Sequence, residues 1–235
     1  MKNINWNDET YQNFIDYLYS LQDLKYRDFH SSLGINKDYL IGVRTPLLKK
    51  IALDISKGDY NAFFKYNKHN TYEEIIIHGF IIGYLKEDFE TIIGLLNEYV
   101  TYIDNWALCD LICSNLHIWS NNTKNGLKFI KTALNGQNPW FNRVGIVLLL
   151  DYYINDEYID YILDLVKDYK TDNYYVMMAL AWLISICYIK YPNKTSDLLK
   201  NKILDKEIQN KAIQKIRESK RINQGIKKEL LKWRI

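Results

Sequence analysis

Proline is nearly absent from the sequence, with three residues in 235, and glycine, at ten, is scarcely commoner. That scarcity excludes collagen-like, proline-rich and strand-and-turn designs and leaves room for long uninterrupted helices. Cysteine also numbers three, too few and too odd for a disulfide scaffold, and it fits a reducing interior. The longest apolar stretches, Val144–Leu150 and Val176–Cys187, are too short or too interrupted to span a bilayer. From Met1 to Tyr11 the chain is polar and acidic after Lys2, without a secretion signal. A soluble, cytoplasmic protein with no membrane association is expected.

What is present is an ordinary globular composition, 48% hydrophobic and 25% charged, with a net charge of +3. The charge is uneven. Lys200–Ile235 holds twelve basic and four acidic residues, whereas the preceding 199 residues are net acidic by five. A basic C-terminal segment suits a polyanion contact, and equally a solvated terminal helix.

Apolar residues recur at spacings of three and four along most of the chain. This predicts helices over Thr45–Ser56, Tyr72–Leu85, Phe89–Val100, Ile103–Leu116, Asn125–Leu134, Trp140–Ile154, Tyr158–Tyr169, Tyr174–Lys190 and Lys206–Glu218. Pro46 falls in a first turn, where its missing N–H costs nothing. Short polar joints and no long linker predict one all-α domain over residues 1–235. One helix of each pair is unusually apolar, and Trp106, Arg143, Trp182 and Arg217 recur at separations of 37, 39 and 35 residues. That period predicts an α-solenoid of HEAT-like two-helix repeats around a curved concave cleft.

Few residues suggest chemistry. Trp106 and Asp110 stand four apart and therefore share a helix face. A carboxylate beside an indole can stabilise developing positive charge and position a water; the plainer reading is a capping or salt-bridging Asp beside a packing Trp. Arg143, read as lying in a first turn, opposes the helix dipole, which suits a phosphate contact or an ion pair with Asp110. Trp182 sits in a helix apolar enough for simple core packing. Cys109, Cys113 and His117 have i, i+4, i+8 spacing, but its ends lie about 12 Å apart on a helix, too far for one tetrahedral ion. Core cysteines are expected, no metal is, and His78 reads as a semi-buried structural histidine. There is no phosphate loop, no His-Glu-x-x-His and no defensible Ser-His-Asp order.

The ordered set Ile41-Gly42-Val43-Arg44-Thr45-Pro46, Trp106-x-x-x-Asp110, Arg143, Ala181-Trp182 and Gln209–Ser219 resembles the AlkD-like DNA alkylation repair proteins, from about Tyr26 to Ser219. The resemblance implies a HEAT-like-repeat DNA glycosylase that removes N3- or N7-alkylated purines from duplex DNA, without metal or organic cofactor and with no obligate protein partner. It gives Asp110 the catalytic carboxylate, Trp106 and Trp182 the two cleft tryptophans, and Arg143 a DNA contact beside the lesion. It also implies that N-terminal helices help to grip the lesion; here Met1–Leu33 carries Tyr11, Tyr17, Tyr19, Tyr26 and Phe29. Lys211, Lys215, Arg217, Lys220 and Arg221 are the expected backbone-binding cations. Two other readings stay open on the residues: a DNA-binding module for distorted or branched DNA without excision, and a protein-binding α-solenoid scaffold.

Overall fold

Asparagine and aspartate stand at the helix starts. In the computed structural model, which describes residues 1–235, ten of the fourteen helices begin with an Asn, Asp or Thr side chain accepting from first-turn N–H groups. Such caps satisfy donors that a helix cannot pair internally. The chain is all-α, with no strand, and falls into two compact units, 1–121 and 122–235.

The first unit contains α1 (Asp8–Ser20), α2 (Leu24–Ser32), α3 (Thr45–Ile55), α4 (Tyr60–Tyr66), α5 (Tyr72–Tyr84), α6 (Phe89–Val100) and α7 (Trp106–Cys113). The second contains α8 (Thr123–Asn135), α9 (Pro139–Tyr152), α10 (Ile159–Asp168), α11 (Tyr174–Lys190), α12 (Pro192–Lys200), α13 (Lys206–Glu218) and α14 (Gln224–Leu230). In the first, α5 packs on both α3 and α7; in the second, α11 packs on both α9 and α13. Within each unit, every second helix therefore stacks on the next of its kind, as in an α-solenoid of helical repeats. The central members are buried on all sides because both faces are covered: Tyr72 through Ile82 of α5 are all buried.

The nine predicted helices are present, with ends shifted by a few residues. The largest shift shortens Ile103–Leu116 to α7, because Asn105 accepts from the N–H groups of Ala107 and Leu108 and starts the helix there. Helices α1, α2, α4, α12 and α14 were not predicted; α2, α4, α12 and α14 have nine residues or fewer, and α1 is polar over most of its surface. Arg143 needs a correction. α9 begins at Pro139, capped by Asn138, so Arg143 lies in its second turn, beyond the unpaired N–H groups, and the dipole penalty does not apply.

A buried carboxylate organises the first unit. Glu73, on α5 and 1% exposed, accepts from the backbone N–H groups of Ile41 (2.9 Å), Gly42 (2.7 Å) and Val43 (3.1 Å). Burial pushes its carboxyl pKa up, and the three N–H groups pull against that rise. Gly42 has φ +99°, and a Cβ there would lie 2.7 Å from Cβ of Arg27, so the loop requires glycine. Its carbonyl accepts from Asp23 N at 3.1 Å, fixing the start of α2. Glu73→Ala strands three buried donors. It is expected to lower the unfolding free energy by about 3 kcal/mol or more, measured by urea denaturation.

His78 is buried and hydrogen-bonded to His69 (Nδ1 to Nε2, 2.8 Å), which stacks on Tyr102 with ring centroids 3.7 Å apart. Burial holds His69 down at about 4 and His78 at about 3, the latter helped by its neighbour. The unfolded chain takes up these protons near pH 6.5, whereas the folded chain resists until pH approaches 4. The pair's contribution to stability is therefore complete above about pH 6.5 and is lost as pH falls below it. Urea midpoints at pH 7 and pH 5 should show this loss, and His78→Phe should reduce it.

Candidate functional site

Each unit carries part of the candidate set. In the first, Asn105 starts α7, so Trp106 is its first residue and Asp110 follows one turn later on the same face. Both are half-buried. Leu108, Cys109, Ile112 and Cys113, on the other sides of the helix, are fully buried, which fixes the direction of the Trp106–Asp110 face. The cysteines are core residues as expected. His117 lies outside α7, exposed in a 3-10 turn over His117–Asn121.

Trp106 is held on two sides. Its indole N–H donates to the carbonyl of Leu33 at 3.2 Å, tying α7 to the end of α2. The residue before it, Asn105, donates to the hydroxyl of Tyr39 at 2.7 Å, and that hydroxyl donates to Asp104 at 2.8 Å. Burial and the neighbouring Asp104 carboxylate raise the Tyr39 pKa strongly, so it remains a neutral donor. The sequence reading did not find Leu33 or Tyr39. A backbone acceptor has no side-chain signature, and Tyr39 is one of 20 tyrosines.

In the second unit Arg143 is buried, 5% exposed, and its Nη1 donates to the carbonyl of Tyr175 at 2.6 Å, bridging α9 to the first turn of α11. Next to it, Asn142 donates to the carbonyls of Ala133 (2.8 Å) and Gly136 (2.9 Å), which locks the α8–α9 corner. Trp182 is half-buried on α11 rather than sealed in the core, although its neighbours Ala181 and Leu183 are fully buried. Trp140 and Tyr175, 35 residues apart, pack with ring centroids 5.0 Å apart.

The basic candidates divide by environment. Lys220 and Arg221 are exposed in the segment between α13 and α14, and Lys215 is half-buried. Lys211 donates to Gln214 at 3.0 Å, and Arg217 Nε donates to the carbonyl of Lys227 at 3.1 Å, joining α13 to α14. Arg217 therefore has a structural bond as well as its charge.

Stacked two-helix repeats that carry a carboxylate–indole pair on one helix face and a basic final segment define the class: an all-α repeat protein suited to an anionic polymer. The sequence model of the family described as DNA alkylation repair enzyme matches residues 14–219, and the chain belongs to that family. It is an enzyme of DNA alkylation repair, with DNA as its substrate. No curated protein matches the chain. No helix is long and apolar enough to cross a membrane.

The Trp106 anchor is testable. Trp106→Phe keeps an aromatic ring but leaves the Leu33 carbonyl without its donor. A loss of about 1 kcal/mol in unfolding free energy is expected, with faster amide exchange at the end of α2.

Proposed function

We propose that the chain is a monofunctional DNA glycosylase that excises N3- or N7-alkylated purines from duplex DNA. The observation that carries this reading is the Trp106–Asp110 pair, a half-buried carboxylate one helical turn from a half-buried indole, in a member of a DNA alkylation repair family.

The chemistry asks little of the protein. A purine alkylated at N3 or N7 carries positive charge, so the electron pair of its bond to C1′ leaves with the base and neutralises it. No strong general acid, metal or cofactor is needed for that departure. Positive charge then grows on the deoxyribose, as in glycoside hydrolysis. Asp110 meets it electrostatically and orients the water whose oxygen bonds to C1′, the proton leaving to solvent. The indoles of Trp106 and Trp182 hold the cationic nucleotide by cation–π contact, each worth about 0.5–2 kcal/mol. Arg143 contacts a phosphate beside the lesion. Its 5% exposure restricts that contact to a small part of the side chain. Lys211, Lys215, Arg217, Lys220 and Arg221 add sequence-independent attraction to the backbone.

The test is release of free base from duplex DNA carrying 7-methylguanine or 3-methyladenine. Wild type is expected to release the base. Asp110→Asn, which keeps the shape but removes the charge, should bind the same DNA and lose at least about a hundredfold in excision rate. Equal rates would remove Asp110 from the centre of the reaction. DNA binding without release by either protein would favour a binding module over a glycosylase.

A further inference from the structure

Tyr174 is 59% exposed at the first position of α11, and nothing in the proposed excision uses it. A singly exposed ring is common on a protein surface; what sets Tyr174 apart is the charge that lies beside it. The ring is braced from one side. It meets Tyr175 edge-on at 5.5 Å, and Tyr175 in turn packs against Trp140.

In front of Tyr174 lies a groove of about 410 Å³ between the first turn of α11 and the Lys206–Gln214 stretch of α13. Its cations are Lys206, Lys211 and Arg234, against a single carboxylate, Glu207. None of the three cations forms an ion pair. Arg234 is placed by Asn210, whose Oδ1 accepts from Arg234 Nε at 3.4 Å and from Ile235 N at 3.1 Å. The groove thus combines a braced, exposed ring with an excess of positive charge, three cations to one carboxylate, which is complementary to an aromatic polyanion.

We propose that this groove binds single-stranded DNA, with one base stacked on Tyr174 and the flanking phosphates on Lys206, Lys211 and Arg234. Duplex DNA satisfies only half of the arrangement. Its bases are covered on both faces by their neighbours, so a duplex engages the cations and leaves the ring in water. An unpaired base has a free face, and stacking on an aromatic side chain is tolerant of sequence. The inference rests on DNA as the ligand and is independent of whether Asp110 performs excision.

The test uses the whole chain and fluorescence anisotropy with a labelled oligothymidine of about twelve nucleotides, beside an undamaged duplex of the same length. Tyr174→Ala is expected to weaken oligothymidine binding about tenfold or more, to change duplex affinity less than about twofold and to leave the melting temperature unchanged. Tyr174→Phe should restore binding. The Lys206→Gln, Lys211→Gln double variant should bind oligothymidine more weakly and with a shallower salt dependence. Unchanged oligothymidine affinity in Tyr174→Ala overturns the proposal. So does an equal loss on the duplex, which makes the groove a duplex contact, and so does wild type failing to bind oligothymidine. Base-release assays read the excision proposal separately: Tyr174-dependent binding without base release would defeat that proposal and leave this one intact.

Discussion

One buried carboxylate governs how the first unit presents its candidate residues. Glu73 receives three backbone N–H groups from Ile41, Gly42 and Val43, and that clamp sets a loop with no other means of pairing those donors. The loop positions Asp23 and hence α2, and the end of α2 offers the Leu33 carbonyl to Trp106. The Arg44–Asp23 ion pair spans the same joint at 2.7 Å, but its side chains are 60% and 32% exposed, so water and salt screen it. Charge-assisted bonds inside the fold outweigh a screened pair at its surface, and the order of dependence runs from Glu73 outward.

The stacked helices share a second property. Their middles are largely apolar and covered, and several candidate residues stand near their N-terminal ends. Trp106 opens α7, Arg143 sits in the second turn of α9, Tyr174 opens α11 and Lys206 opens α13. Helix starts carry the positive end of the backbone dipole, and three of them here also carry an indole, a phenol and an ammonium group.

Much of this was legible before any coordinates. The nine long amphipathic or apolar helices follow from spacing alone, and the positions of Trp106, Arg143 and Trp182 about one repeat apart mark the two-helix period. The Trp106–Asp110 face needed only the pitch of a helix. What escaped was of another kind. Helices α4 and α14 have seven residues each, too few for a pattern. Arg143 was misread because Pro139, not a later residue, begins α9. The roles of Glu73 and Gly42 stayed hidden because a carboxylate in an apolar run looks like an interruption until the loop that it clamps is seen. The motif around Gly42 is accordingly architectural: it shapes the loop and donates N–H groups.

The three cysteines have a chemical consequence of their own. All are fully buried, and burial pushes the Cys187 thiol up to about 12. Only an accessible thiolate is a potent nucleophile, so burial withholds all three sulfurs from electrophiles, and at Cys187 it disfavours the thiolate as well. The alkylating agents that create damaged bases are such electrophiles. The fold of this DNA alkylation repair enzyme thus keeps its three thiols out of such reagents' reach.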